Sequence, residues 1–215
     1  MIITNFKTYE QATGDKALEL AQIHDAIAKE TGADIRIAVQ AIDLKNVAKM
    51  VTIPVLAQHV DPVHFGSATG HIVPESVFMA GGAGTLLNHS ERRLEREILR
   101  QSIARAKAAG LMTIVCAATP EEGASFLEFD PDFIAVEPPE LIGGTISVSN
   151  AQPEIVENAA KLIGSAKLLV GAGIKNGDDV RIAMKLGARG VLLASGVTKS
   201  SDPRAVLMDL VSGLS

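Results

Sequence analysis

Three residues of this chain, Lys7, His89 and Glu137, are of types and in places that could move a proton to and from carbon. Each closely follows a short apolar or β-branched run: Ile2 to Asn5, Thr85 to Leu87, and Phe133 to Val136. Removing a proton α to a carbonyl needs a base, here Glu137, and a hydrogen-bond donor on the carbonyl oxygen, here His89. It also needs a cation near the enediolate, here Lys7. His89 opens what reads as a helix from Glu91 to Ala109, and the partial positive charge at such an N-terminus predicts a neutral imidazole. Two small-residue segments, Gly171-Ala172-Gly173-Ile174 and Ala194-Ser195-Gly196, let backbone N–H groups approach an anion. Ser195 and Gly196 can begin a short extra turn whose N-terminus points at a phosphate. After Glu137, Pro138 and Pro139 stiffen one end of a segment that Gly143 and Gly144 loosen at the other, the composition of a lid.

Something must bring these distant residues together. Apolar runs alternate with helical stretches along the whole chain, and no linker divides it, so one domain over residues 1–215 is expected. The strands are read at Ile2 to Asn5, Ile35 to Val39, Pro54 to Gln58, Thr85 to Leu87, Thr113 to Ala117, Phe133 to Val136, Lys167 to Gly171 and Gly190 to Ala194. The helices between and after them are read at Asp15 to Thr31, Ile42 to Met50, Pro74 to Ala80, Glu91 to Ala109, Pro120 to Leu127, Gln152 to Leu162, Asp178 to Lys185 and Pro203 to Val211. In the fourth helix Leu94, Ile98, Ile103 and Ala106 can share an apolar stripe. Thr119-Pro120 and Asp202-Pro203 are helix starts, and Gly32, Gly110 and Gly187 follow helices as left-handed caps.

Strands that are apolar throughout suit a parallel sheet covered by helices, and eight strand–helix units suggest closure. The expectation is an α/β fold, a (β/α)8 barrel near the lower limit of about 200 residues for that architecture. A doubly wound open sheet is the runner-up, but no G-x-G-x-x-G follows the first strand. In a barrel the C-terminal strand ends form one rim, where Lys7, His89, Glu137 and the two anion-binding segments would converge.

Composition narrows the partners. The 215 residues are 47% hydrophobic and 21% charged with a net charge of -5, aromatics are 3%, and there is no block of five like charges. A nucleic-acid or membrane footprint is missing, so a small-molecule partner is expected. Met1 leads into Ile2, Ile3 and then polar residues with no leader-like pattern, which predicts a cytoplasmic protein. The single cysteine, Cys116, reads as buried strand filler. His59, His64 and His71 have no compact ligand spacing, so no metal is expected. The stretch Val60 to Pro74 reads instead as an interaction loop carrying Phe65, Gly66, Thr69 and Gly70.

Taken in order, Asn5-Phe6-Lys7, Asn88-His89-Ser90-Glu91-Arg92-Arg93, and Glu137-Pro138 through Ile142-Gly143 resemble the motifs of the triosephosphate isomerase family, in its short archaeal-type branch. The resemblance covers nearly the whole chain. It implies a TIM barrel needing no cofactor, which interconverts dihydroxyacetone phosphate and glyceraldehyde 3-phosphate in glycolysis and gluconeogenesis. The family's glutamate base, neutral histidine and closing loop are an established example, so those roles are inherited from the resemblance. Carried onto this chain, Glu137 is the base, His89 the electrophile and Lys7 the electrostatic residue. Asn5, Phe6 and Lys7 hold substrate, Glu91 supports the lysine, and backbone groups of Ile142, Gly143, Gly173, Ala194 and Ser195 surround the phosphate. The loop from Gly66 to Gly70 reaches a neighbouring subunit, with Thr69 near its site, which implies a homo-oligomer, dimer or tetramer. The chain departs from the family in Phe6, in Gly143-Gly144-Thr145 at the lid end, and in the Gly171-Ala172-Gly173 and Ala194-Ser195 phosphate segments. Two rivals share the barrel: another phosphosugar reaction, such as a Schiff-base lyase at Lys7, and a non-catalytic triose-phosphate sensor.

Overall fold

Short runs of Ile, Leu and Val cannot hide both faces alone, and here they do so by pairing side by side into a closed ring. The structure is a computed structural model that describes residues 1–138, 149 and 152–214. Its strands are β1 (Ile2–Asn5), β2 (Ile35–Val39), β3 (Val55–Ala57), β4 (Gly84–Leu87), β5 (Met112–Ala117), β6 (Phe133–Val136), β7 (Leu168–Gly171) and β8 (Gly190–Leu193). They pair in parallel in chain order, and β8 closes on β1 with Ile2 opposite both Val191 and Ile35. Closure excludes the open doubly wound sheet. The helices are α1 (Asp15–Thr31), α2 (Ala41–Met50), α3 (Pro74–Met79), α4 (Arg96–Ala108), α5 (Pro120–Ser125), α6 (Pro153–Ile163), α7 (Gly177–Lys185), α8 (Ser195–Thr198) and α9 (Pro203–Ser212).

Side chains alternate across a strand, so each strand serves two cores. Ile3, Ala38, Leu56, Leu86, Ile114, Cys116, Ala135, Leu169 and Leu192 fill the barrel interior. Ile2, Ile37, Val55, Leu87, Val115, Ile134, Val170 and Val191 belong to the larger core between sheet and helices. Two residues past an inward position the chain faces inward again. Thus Ile3 leads to Asn5, Ala135 to Glu137, Leu169 to Gly171 and Leu192 to Ala194, at the C-terminal mouth of the barrel.

The expected caps form. Thr119 Oγ1 accepts from Glu122 N at 3.1 Å, Asp202 Oδ1 accepts from Ala205 N at 3.0 Å, and Gly32 closes α1 at φ +71. The fourth helix is a correction, because α4 begins at Arg96 and not at Glu91. Asn88, at φ +60, takes the Leu94 N–H on its Oδ1 at 2.9 Å, which folds 88–94 into a loop. The first helical bond runs only from Leu99 N to Glu95 O. The buried stripe is therefore Leu99, Ser102, Ile103 and Ala106, while Ile98 is exposed.

Two polar groups of α1 tie it to the sheet. Asp25 is opposed by desolvation, but bonds from Lys29, Thr52 and Ile53 outweigh it and bring its carboxyl to about 2. His24 is fully buried, with Nδ1 at 2.8 Å from Leu20 O and Nε2 at 3.0 Å from Thr4 Oγ1. Burial depresses its imidazole from 6.5 to about 4, against the smaller pull of the Leu20 carbonyl. The unfolded chain therefore takes up a proton that native His24 refuses. Stability is lost as pH falls from about 6.5 toward 4, by on the order of 3 kcal/mol. Urea unfolding midpoints should fall across this window, and His24→Gln should flatten that fall while lowering the midpoint at pH 7; an equal slope in both proteins would exclude His24 as its source.

Candidate active site

Inward alternation along β1 brings Asn5 and then Lys7 to the mouth of the barrel. Lys7 takes φ +49, a left-handed conformation that costs a non-glycine residue about 1–2 kcal/mol. Its N–H donates to Asn5 Oδ1 at 2.9 Å and its carbonyl accepts from Gln58 Nε2 at 2.8 Å. Net values near 1 kcal/mol per hydrogen bond let the two together offset the strain. The turn sends the ammonium to Glu91 Oε1 at 2.8 Å, in reach of the cavity.

His89 follows β4 and is buried. Glu91 N–H donates to its Nδ1 at 3.2 Å, which leaves the ring proton on Nε2. The helix N-terminus that the sequence predicts to keep the ring neutral is not at His89, since α4 starts seven positions later at Arg96; the Glu91 amide orients the ring instead. Nε2 points toward Glu137 Oε2 at 3.8 Å. That separation is too long for a direct hydrogen bond and leaves the two groups side by side, free to act on adjoining atoms of one small molecule in the cavity.

Glu137 continues β6 by one residue, with its N–H bonded to Ala117 O at 2.9 Å. Its side chain is buried, and Oε2 has no hydrogen-bond donor among the described residues. Burial pushes the carboxyl above its ordinary range. His89, the Cys116 thiol and Lys7 pull the other way, and Glu91 adds to the rise. Cys116 is thus more than strand filler: its thiol touches the base, and burial first and the Glu137 charge second push it well up. On the neighbouring strand, Gly171 at the end of β7 makes room for the carboxylate. A Cβ there would lie 2.5 Å from Glu137 Cγ and 2.7 Å from Oε1.

The far wall is built for an anion. Ala172 and Gly173 both stand at φ +73, so their successive N–H groups can form a small concave nest. Ser195 opens α8, whose first amides have no intrahelical acceptor by geometry. These segments share with Asn5, Lys7, His89 and Glu137 one cavity of about 260 Å³, roomy enough for a triose-sized molecule and near the low end of small-ligand sites at about 300 Å³. Among the described residues no group of three or more His, Cys, Asp or Glu side chains is arranged to hold a metal ion.

Most of the residues singled out in the sequence meet here: Asn5, Lys7, His89, Glu91, Glu137, Gly173, Ala194 and Ser195. Phe6 does not. Its ring is fully buried and tilted against His24 at 5.4 Å, so it anchors β1 to α1 and does not line the cavity. Ile142, Gly143 and the Gly144-Thr145 lid end lie outside the described residues. Thr69 is exposed on its loop. That loop is closed at its base by Asp61 N to Ile72 O at 2.9 Å and Ile72 N to Asp61 Oδ2 at 2.7 Å. His59, His71 and Arg92 gather on the Asp61 carboxylate, and Arg105 holds Val63 O at 3.1 Å. Sequence reasoning missed Gln58, Tyr9 and Lys175, and it read Gly171 as part of an anion-binding segment and not as the room for Glu137. Gln58 stands at a strand end and the rim rule applied to the third strand finds it; nothing local marks Tyr9 or Lys175.

The triosephosphate isomerase family model matches residues 1–213. The triosephosphate isomerase of Methanobacterium bryantii is 47% identical over 216 aligned positions, covering 99% of this chain and 96% of its own length. That of Methanosarcina acetivorans is 45% identical over 214, covering 98% and 96%. That of Methanocaldococcus jannaschii is 43% identical over 215, covering 98% of each. Similarity over the whole length, on a closed eight-stranded parallel barrel, places the chain without ambiguity: it belongs to the triosephosphate isomerase family.

Proposed function

We propose that the cavity at the barrel mouth is where this chain, an isomerase, interconverts dihydroxyacetone phosphate and D-glyceraldehyde 3-phosphate, and that residues 1–215 act as one catalytic domain. The observation that carries this reading is the facing pair of Glu137 Oε2 and His89 Nε2 at 3.8 Å, beside the Lys7 ammonium. Glu137 takes a proton from the carbon next to the carbonyl. The electron pair left behind forms the carbon–carbon double bond of an enediolate, and the carbonyl oxygen gains the negative charge. His89 donates from Nε2 to that oxygen, and Lys7 stabilises the charge. The hydroxyl proton of the first carbon then passes by way of His89 to the former carbonyl oxygen, which moves the negative charge to the first oxygen. Glu137 returns its proton to the former carbonyl carbon as the first oxygen becomes the new carbonyl, so two hydrogens have moved and nothing is consumed. The amides of Gly173, Ala194 and Ser195 hold the phosphate, and Asn5 and Glu91 hold Lys7.

We further propose that the chain assembles as a homo-oligomer through the loop from Val60 to Pro74. Its support is an exposed Phe65 and Thr69 on a loop with a pinned base, and an open cavity of about 300 Å³ on the other side of Lys7. A cytoplasmic location is proposed with it, on the ground of the glycolytic substrate. No helix among the described residues is long and apolar enough to cross a membrane.

Glu137→Gln should cost about 10² to 10⁴ in kcat. A carboxyl raised by folding destabilises the native state as pH rises through its value, so the same variant should keep or gain melting temperature at pH 7. Retained turnover, or a protein that loses activity and unfolds together, would contradict the assignment. In the wild type, kcat/KM should fall on the acid side at a pH above 4.5, the ordinary glutamate value. Gly171→Ala should lower kcat about 10- to 100-fold by displacing the carboxylate, with little change in secondary structure by circular dichroism. Light scattering should show an oligomer that Phe65→Glu shifts toward a smaller species; a monomeric wild type would remove the interface.

A further inference from the structure

Lys7 has its electrostatic role only while its backbone is held in an unfavourable region. The Lys7 carbonyl accepts one side-chain bond, from Gln58 Nε2 at 2.8 Å. The same amide nitrogen lies 3.3 Å from Ala38 O, an oxygen that also accepts Phe6 N–H at 2.9 Å. Gln58 itself is fixed, because its own N–H donates to Val39 O at 3.2 Å, one step beyond β3. One side chain therefore ties together the tips of the first three strands where Lys7 must turn.

We propose that Gln58 is a positioning residue for the reaction, holding Lys7 at φ +49 so that its ammonium faces the cavity. The proposal rests on the electrostatic role of Lys7. A primary amide suits the place chemically. Its two hydrogens can serve two carbonyl oxygens with no net charge beside the ammonium, whereas a carboxylate there would face both oxygens without a proton. Asn5 and Glu91 restrain the N–H and the ammonium of Lys7, and neither restrains its carbonyl. With Gln58 gone, the peptide after Lys7 can rotate out of the left-handed region, and the lysine leaves its aim while the barrel stays closed.

The test compares steady-state kinetics with triose phosphate for the full-length wild type, Gln58→Met, Lys7→Met and the double variant. Gln58→Met keeps the length of the side chain and removes its donor. It should lower kcat/KM about 10- to 100-fold with unchanged circular dichroism and oligomer size. The double variant should be no worse than Lys7→Met, because Gln58 acts only through the lysine. Wild-type kcat/KM in Gln58→Met beside an inactive Lys7→Met would overturn the role of Gln58 and leave that of Lys7. Multiplying losses would overturn the route through Lys7, and a fully active Lys7→Met would overturn both readings. If Gln58→Met does not fold, Gln58→Glu carries the test. Its activity relative to wild type should rise as pH falls and the acid gains a proton to donate, and a ratio that does not change with pH would overturn the proposal.

Discussion

A carboxylate taken out of water, with one oxygen undonated among the described residues, is the interaction around which the rim is built. Desolvation raises the proton affinity of Glu137, and the groups that oppose the rise, His89, Cys116 and Lys7, stop short of donating to Oε2. The arrangement is unfavourable for folding and favourable for a base that must take a proton from carbon. The rest of the barrel makes it tolerable. Gly171 yields the volume, the β5–β6 ladder fixes the backbone through Glu137 N–H, and the interior layer below contributes Ala135 and Leu169 as apolar support.

Strand alternation explains both what is legible in the sequence and what is not. Lys7, His89 and Glu137 can be read because they follow recognisable strands, and the rim of a parallel barrel gathers whatever stands at strand ends. Ser195 and Gly196 can be read as the start of an extra turn, and α8 begins there. The contacts that tune the base cannot be read. Cys116 and Gly171 meet Glu137 from the flanking strands β5 and β7; neither proximity leaves a local pattern. The start of α4 departs from the sequence expectation for a related reason. The charged run after His89 has ordinary helix-forming residues, but Asn88 diverts the Leu94 N–H, and that side-chain bond outweighs propensity.

Backbone strain is concentrated where the chemistry is. Among the described residues four non-glycine residues have positive φ, and Lys7, Asn88 and Ala172 are those just past β1, β4 and β7. Each bends the chain sharply out of a strand, so that the next residues line the cavity instead of running on into a helix. Asn88 is held by its own side chain, which donates to Cys116 O at 2.9 Å and accepts from Leu94. Lys7 needs help from other strands. The same rim that looks like loops in the sequence is therefore, from β1 to β5, a network of side-chain bonds to backbone.

The Asp61 hub has a consequence for how subunits would meet. The loop from Val60 to Pro74 is closed on its own chain by the Asp61 and Ile72 bonds, with Arg105 holding Val63 from α4. Its base is held before any neighbour arrives. Association of such surfaces is a docking of two preformed bodies, with little ordering entropy lost at contact and a rate governed by orientation and charge. In the proposed homo-oligomer, assembly would be separable in time from folding of the barrel, and subunits parted by dilution would keep the pinned base of that loop.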